Sequence, residues 1–145
     1  MQDMYSYVEG KLYNYKSMKV ELNSYKIDLE YLNKDYEGCR GQSYSGITSS
    51  KTNSLYSSVE NELIRKEKRK ERLQSKITEK ERQIRKIENA LALLDDEELQ
   101  LVELRYFSDR IKPLSWLAIG KEMLTSDKRC RCIRDEVLFK LSNAI

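Results

Sequence analysis

The sequence predicts an all-α protein: a long antiparallel coiled-coil helical hairpin followed by a small helix-turn-helix domain. Three observations carry this. Apolar residues alternate at spacings of three and four through most of the first 94 positions, the signature of helices packed along a seam. The 145 residues include one Pro, five Gly and 35% charged side chains, a composition of long, solvent-washed helices rather than of a large round core. After Leu94 the long periodicity gives way to three short helical stretches.

The first long helix is expected on the series Val8, Tyr15, Leu22, Leu29 and Tyr36, every seven residues, interleaved with Met18, Tyr25 and Leu32. Nine of the ten tyrosines fall in residues 1–56. Several sit on the seam, where packing is a better account than stacking on bases. A Gly- and Ser-rich stretch from Gly38 to Thr52 marks the turn. The second helix follows Tyr56, Val59, Leu63, Lys66, Lys70, Leu73, Ile77, Lys80, Ile84, Ile87, Leu91 and Leu94. Its three seam lysines are expected to lay their stems along the partner helix and lift their ammonium groups into water. Counting outward from the turn places Leu29 near Glu60 and Val8 near Glu81, with residues beyond about Ile84 projecting past the first helix. The boundaries are therefore 1–94 for the hairpin, with its turn near 38–52, and 95–145 for the second domain.

In that domain Asp95-Asp96-Glu97-Glu98 reads as a helix start, since carboxylates favour the positive end of the helix dipole. Leu99, Leu101, Val102, Leu104 and Phe107 form an apolar side, and 108–113 is a loop. Ser115 caps a short helix with Trp116, Ile119, Gly120 and Met123 inward; Leu124-Thr125 is a tight turn. Ser126 caps a third helix whose inner face is Cys130, Ile133, Val137 and Leu141. A tight turn before a basic third helix is the helix-turn-helix pattern. At 100° per residue Lys128, Arg131 and Cys132 lie opposite the apolar face, Arg129 lies on one flank, and Arg134 falls nearer the buried edge. Lys128 to Arg134 holds four cations and no anion, which suits a polyanionic partner such as double-stranded DNA.

Composition narrows the function classes. The chain has no histidine, which excludes His-based acid–base catalysis, Ser-His and Cys-His nucleophile pairs and His-containing metal sites. No GxGxxG or GxxxxGK[ST] occurs, so an enzyme is not expected, nor a cofactor. Cys130-x-Cys132 points its two thiols in opposing directions on a helix, so no metal is expected there. No signal peptide or bilayer-length apolar run is visible, and three cysteines make no disulfide scaffold. The expected location is the cytoplasm, at the nucleoid when bound to DNA, with no membrane partner.

Leu99 to Leu141 resembles region 4 of the sigma-70 family. The residues that carry this are Asp96-Glu97-Glu98, Leu104-Arg105-Tyr106-Phe107, Ser115-Trp116-Leu117-Ala118-Ile119-Gly120, Ser126 through Arg131, and Val137-Leu138-Phe139-Lys140-Leu141. With a coiled coil in front, the sequence is most similar to phage-encoded sigma-like late-transcription regulators of the ArpU and RinA type. The resemblance implies promoter binding, contact with RNA polymerase and DNA contacts from Arg129, Arg131 and Cys132. The candidate DNA-binding set is Ser126, Lys128, Arg129, Arg131 and Cys132, and a homo-oligomer through the coiled coil is expected. The alternatives are a phage DNA-packaging subunit of the small-terminase kind, and a helical protein-interaction module without DNA binding. Departures from the pattern are a longer loop at 108–114, Leu124 where a turn glycine is common, and Cys132 in place of a polar base reader.

Overall fold

Seam residues repeat too regularly in both halves of the first 94 positions to leave either half anything but helical. A computed structural model describes residues 2–39 and 52–145, with side chains described outside 36–39 and 52–57. The described residues form five helices and no strand: α1 (Gln2–Cys39), α2 (Thr52–Leu91), α3 (Asp96–Arg105), α4 (Trp116–Glu122) and α5 (Asp127–Ala144). The turn expected near 38–52 and the seam side chains of Tyr36 and Tyr56 lie outside the residues described. No described helix is long and apolar enough to cross a membrane.

The chain divides into two compact units, residues 20–81 and residues 1–19 with 82–145. In the first, the middle of α1 lies against the middle of α2 in antiparallel sense. Glu21 meets Lys80 at 2.7 Å, and Lys76 sits 5.5 Å from the Tyr25 ring centre: four residues up one helix, four down the other. Lys26 reaches Glu81 at 2.8 Å. Lys80 departs from the lysine expectation: its side chain is only 25% exposed, and its ammonium meets the Glu21 carboxylate of α1 instead of rising into water. Leu73 and Ile77 are half-buried, whereas Val59 and Leu63 are exposed.

The expected register is corrected. Extending the Tyr25–Lys76 spacing by one turn puts Leu29 level with Arg72, not Glu60. The partner of Glu81 is Lys26 rather than the neighbourhood of Val8. The offset is about 12 residues, or about 18 Å of helix. Seam packing and cross-helix ion pairs set the register, and the midpoint of the turn does not. Nor does α2 project freely beyond Ile84, because Ile84, Ile87 and Ala90 are buried.

They belong to the second unit, where the end of α2 and the start of α1 join the three short helices. Its core contains Val8, Leu12, Ile87, Leu101, Val102, Ile119, Cys130, Ile133, Val137, Leu138 and Leu141, each at most 1% exposed. Leu12 and Ala90, buried but outside the seams read from sequence, pack here as well. The unit thus draws residues 1–19 and 82–94 in with residues 95–145.

Candidate nucleic-acid interface

Helix α3 begins where its sequence says it should. Asp95 is the N-cap, with Oδ1 accepting from the Glu98 backbone N–H at 2.9 Å, while Glu98 Oε2 accepts from the Asp95 N–H at 3.0 Å. This reciprocal capping box satisfies two donors that a helix end otherwise leaves open. Glu98 is buried, and its carboxylate is compensated by the Lys140 ammonium at 2.7 Å. Ser115 Oγ caps α4 through the Ala118 N–H at 3.2 Å, and Ser126 Oγ caps α5 through the Arg129 N–H at 3.1 Å.

Between α4 and α5 the chain reverses in four residues. Thr125 N–H donates to the Gly120 carbonyl at 2.8 Å and Leu124 N–H to the Lys121 carbonyl at 3.4 Å, the paired bonds of a Schellman close. That close needs a left-handed residue, and Leu124 supplies it with φ 55°. A Cβ at Gly120 would stand 2.8 Å from the Thr125 carbonyl oxygen, so only glycine admits the chain so close. Helices α3, α4 and α5 pack pairwise on one another.

This turn aims α5. Cys130, Ile133, Val137 and Leu141 are all fully buried, as the spacing predicts. Burial pushes the Cys130 thiol above its ordinary pKa, so it packs as a small apolar group. Opposite it, Lys128, Arg131 and Cys132 are exposed. Lys128 makes no ion pair among the described residues. Arg131 approaches Asp127 only at 3.9 Å and stays 59% exposed. Arg129 is differently placed, reaching Glu97 at 3.6 Å and Glu136 at 3.5 Å. Ser126 spends its hydroxyl on the cap, which leaves its side chain a positioning part. Cys132 is an exposed free thiol. No group of three or more His, Cys, Asp or Glu able to hold a metal occurs among the described residues.

Arg134 turns inward. Its Nε donates to Glu9 Oε1 at 3.1 Å, and its guanidinium lies 6.0 Å from the Trp116 ring centre. The same Glu9 oxygen accepts from the Tyr106 hydroxyl at 2.7 Å. Burial, with Glu9 beside it, holds the Tyr106 hydroxyl well above its ordinary pKa. Tyr13 meets the Tyr106 ring edge-on with centroids 4.8 Å apart, and Tyr15 stacks on Phe107 at 4.8 Å. Tyr15 also donates to Glu88 at 2.9 Å. Tyr13 and Tyr15 are therefore packing residues, and they hold the end of α3 to the start of α1. Sequence periodicity missed Glu9, because a charged residue between seam positions carries no signal of a partner 125 residues away.

The sequence model of a family described as "Protein of unknown function (DUF722)" matches residues 4–143. No curated protein and no solved structure matches the chain.

Proposed function

The chain belongs to the DUF722 family, and we propose that it is a sequence-specific DNA-binding transcription regulator that inserts the first two turns of α5 into the major groove. One observation carries this reading. Lys128 and Arg131 stand on the solvent side of α5, opposite side chains that are fully buried, at the N-terminal end with which recognition helices read base edges. Asp135 and Glu136 one turn later oppose phosphate, which limits the contact to those first turns. Arg129 contributes by exchanging Glu97 and Glu136 for phosphate.

The resemblance to sigma region 4 extends the proposal to activation of phage late genes, with RNA polymerase as second partner and double-stranded DNA as first. In this reading the chain acts beside a sigma factor rather than replacing one. Association of two copies along the coiled coil is part of the same reading. Val20, Ile27 and Tyr31 lie exposed at spacings of seven and four on the side of α1 away from Met18 and Leu32.

The test is duplex binding by the full chain across salt concentrations, with sequencing of the DNA that co-purifies from cells. Roughly four to six phosphate contacts give a log–log slope near −4 to −5. Arg131→Ala weakens binding by about 1–3 kcal/mol and relaxes preference at one base position. Binding that ignores salt, or survives loss of both Arg129 and Arg131, overturns the proposal. Enrichment at a packaging start site instead of upstream of an operon overturns the regulatory half.

A further inference from the structure

We propose that the loop of residues 108–114 is a second phosphate-gripping element, holding the backbone of duplex DNA beside the stretch that α5 reads. This rests on the DNA-binding reading of α5 and adds a part of the chain that reading does not use.

The loop is fixed at both ends. On the entry side Phe107 is stacked on Tyr15 at 4.8 Å, and Asp109 receives the Lys16 ammonium. On the exit side the Leu114 carbonyl accepts from Arg105 Nη1. The Arg105 guanidinium in turn lies 4.6 Å from the centre of the Trp116 ring, which also faces Arg134 of α5. The loop therefore ends beside α5, one residue from the cap of α4. Pro113 narrows its exit further by fixing its own φ and pushing Lys112 toward extended backbone.

Between these anchors, Arg110, Ile111, Lys112 and Pro113 are all exposed, Ile111 completely so at 102%. Neither Arg110 nor Lys112 makes an ion pair among the described residues. The loop's one carboxylate is already engaged: Lys16 bonds Asp109 and holds its carboxyl below the ordinary range. Arg110 and Lys112 therefore reach solvent beside an exposed Asp109 whose charge Lys16 balances, and they flank an isoleucine that buries nothing in this chain. Cations on either side of an apolar side chain match phosphates on either side of a deoxyribose edge. A folded extension of this kind positions a protein on duplex without reading its sequence.

The experiment compares the full chain with the double variant Arg110→Gln/Lys112→Gln and with Arg131→Ala, on a mixed-sequence duplex of about 30 base pairs. The expected result for the double variant is a salt slope shallower by about 1.8 and binding roughly 10- to 60-fold weaker near 0.1 M salt, equally for every sequence. Its melting temperature stays unchanged, because both side chains are exposed. An unchanged slope in the double variant, with Arg131→Ala still impaired, overturns the loop's role and leaves the α5 reading standing. Failure of the unmodified chain to bind duplex overturns both.

Discussion

Lys140 rests its ammonium on both carboxylate oxygens of Glu98, at 2.7 and 2.8 Å, across 42 residues of sequence. Glu98 is at the same time half of the capping box that starts α3. The last full turn of α5 thus closes the first turn of α3, and one carboxylate serves both. Glu98→Ala removes the return bond to Asp95 and the partner of Lys140 together. A loss of about 1–3 kcal/mol is expected in denaturant unfolding of the full chain. A variant as stable as the parent shows that the box is ornamental.

The hydrogen bond to Glu98 raises the Lys140 pKa above its ordinary value, and burial with Glu9 raises that of Tyr106. A lysine more basic when folded contributes stability that is complete below the unfolded pKa of about 10.4 and is lost as pH rises through the folded value. A tyrosine more weakly acidic when folded acts in the same direction, because above about pH 10 the unfolded chain ionises first. Melting temperature should therefore fall above pH 10, and the fall should be shallower in Tyr106→Phe and in Lys140→Met. Equal slopes in all three proteins contradict the assignment.

The turn before α5 makes two opposite predictions. Leu124→Gly relieves a left-handed backbone at φ 55° and should stabilise by about 0.5–1 kcal/mol. Gly120→Ala drives a methyl against the Thr125 carbonyl, 2.8 Å away, and should destabilise by about 1–3 kcal/mol. Thermal melts of both variants decide it, and the same sign for both refutes the turn geometry.

Register is testable by crosslinking. With the native cysteines replaced by alanine, new cysteines at positions 21 and 80 should join within one chain through a short bifunctional reagent, as the Glu21–Lys80 pair requires. Cysteines at 29 and 60 should not. Efficient 29–60 crosslinking restores the register counted from the turn.

Sequence alone was a good guide where the signal is local or periodic. The start of α3 at Asp95 to Glu98, the caps at Ser115 and Ser126 and the inward face of α5 all follow from residue type and spacing, whereas the role of Asp95 as the cap itself came from the structure. The exceptional turn residue Leu124 also stood out against the glycine common there. Exposure along α2 falls at Leu73, Ile77, Ile84 and Ile87, on the predicted seam. Register was not legible, because a three–four alternation offers an apolar match at many offsets, and only cross-helix pairs such as Glu21–Lys80 choose among them. Nor was the attachment of α1 to the C-terminal helices, since it depends on single polar partners, Glu9 with Tyr106 and Arg134, that no period announces. Of the candidate interface, the outward placement of Lys128, Arg131 and Cys132 followed from 100° per residue. The two carboxylates beside Arg129 come from Glu97 on α3 and Glu136 on α5; the first becomes visible only once α3 and α5 are packed.

Glu9 and Arg134 are 125 residues apart in sequence, and this imposes an order on the birth of the molecule. Residues 20–81 form a unit continuous in the chain, so it can zip together while synthesis continues. The other unit is split between the two ends. At translation rates of about 5–20 residues per second, the opening turns of α1 wait roughly 6–25 seconds for their counterparts to leave the ribosome. Until then Val8, Leu12, Tyr13 and Tyr15 remain without the surfaces that cover them. A message cut short before the codon for Arg134 therefore strands the beginning of the protein as well as its end, and the released fragment presents the apolar surface that chaperones and proteases recognise.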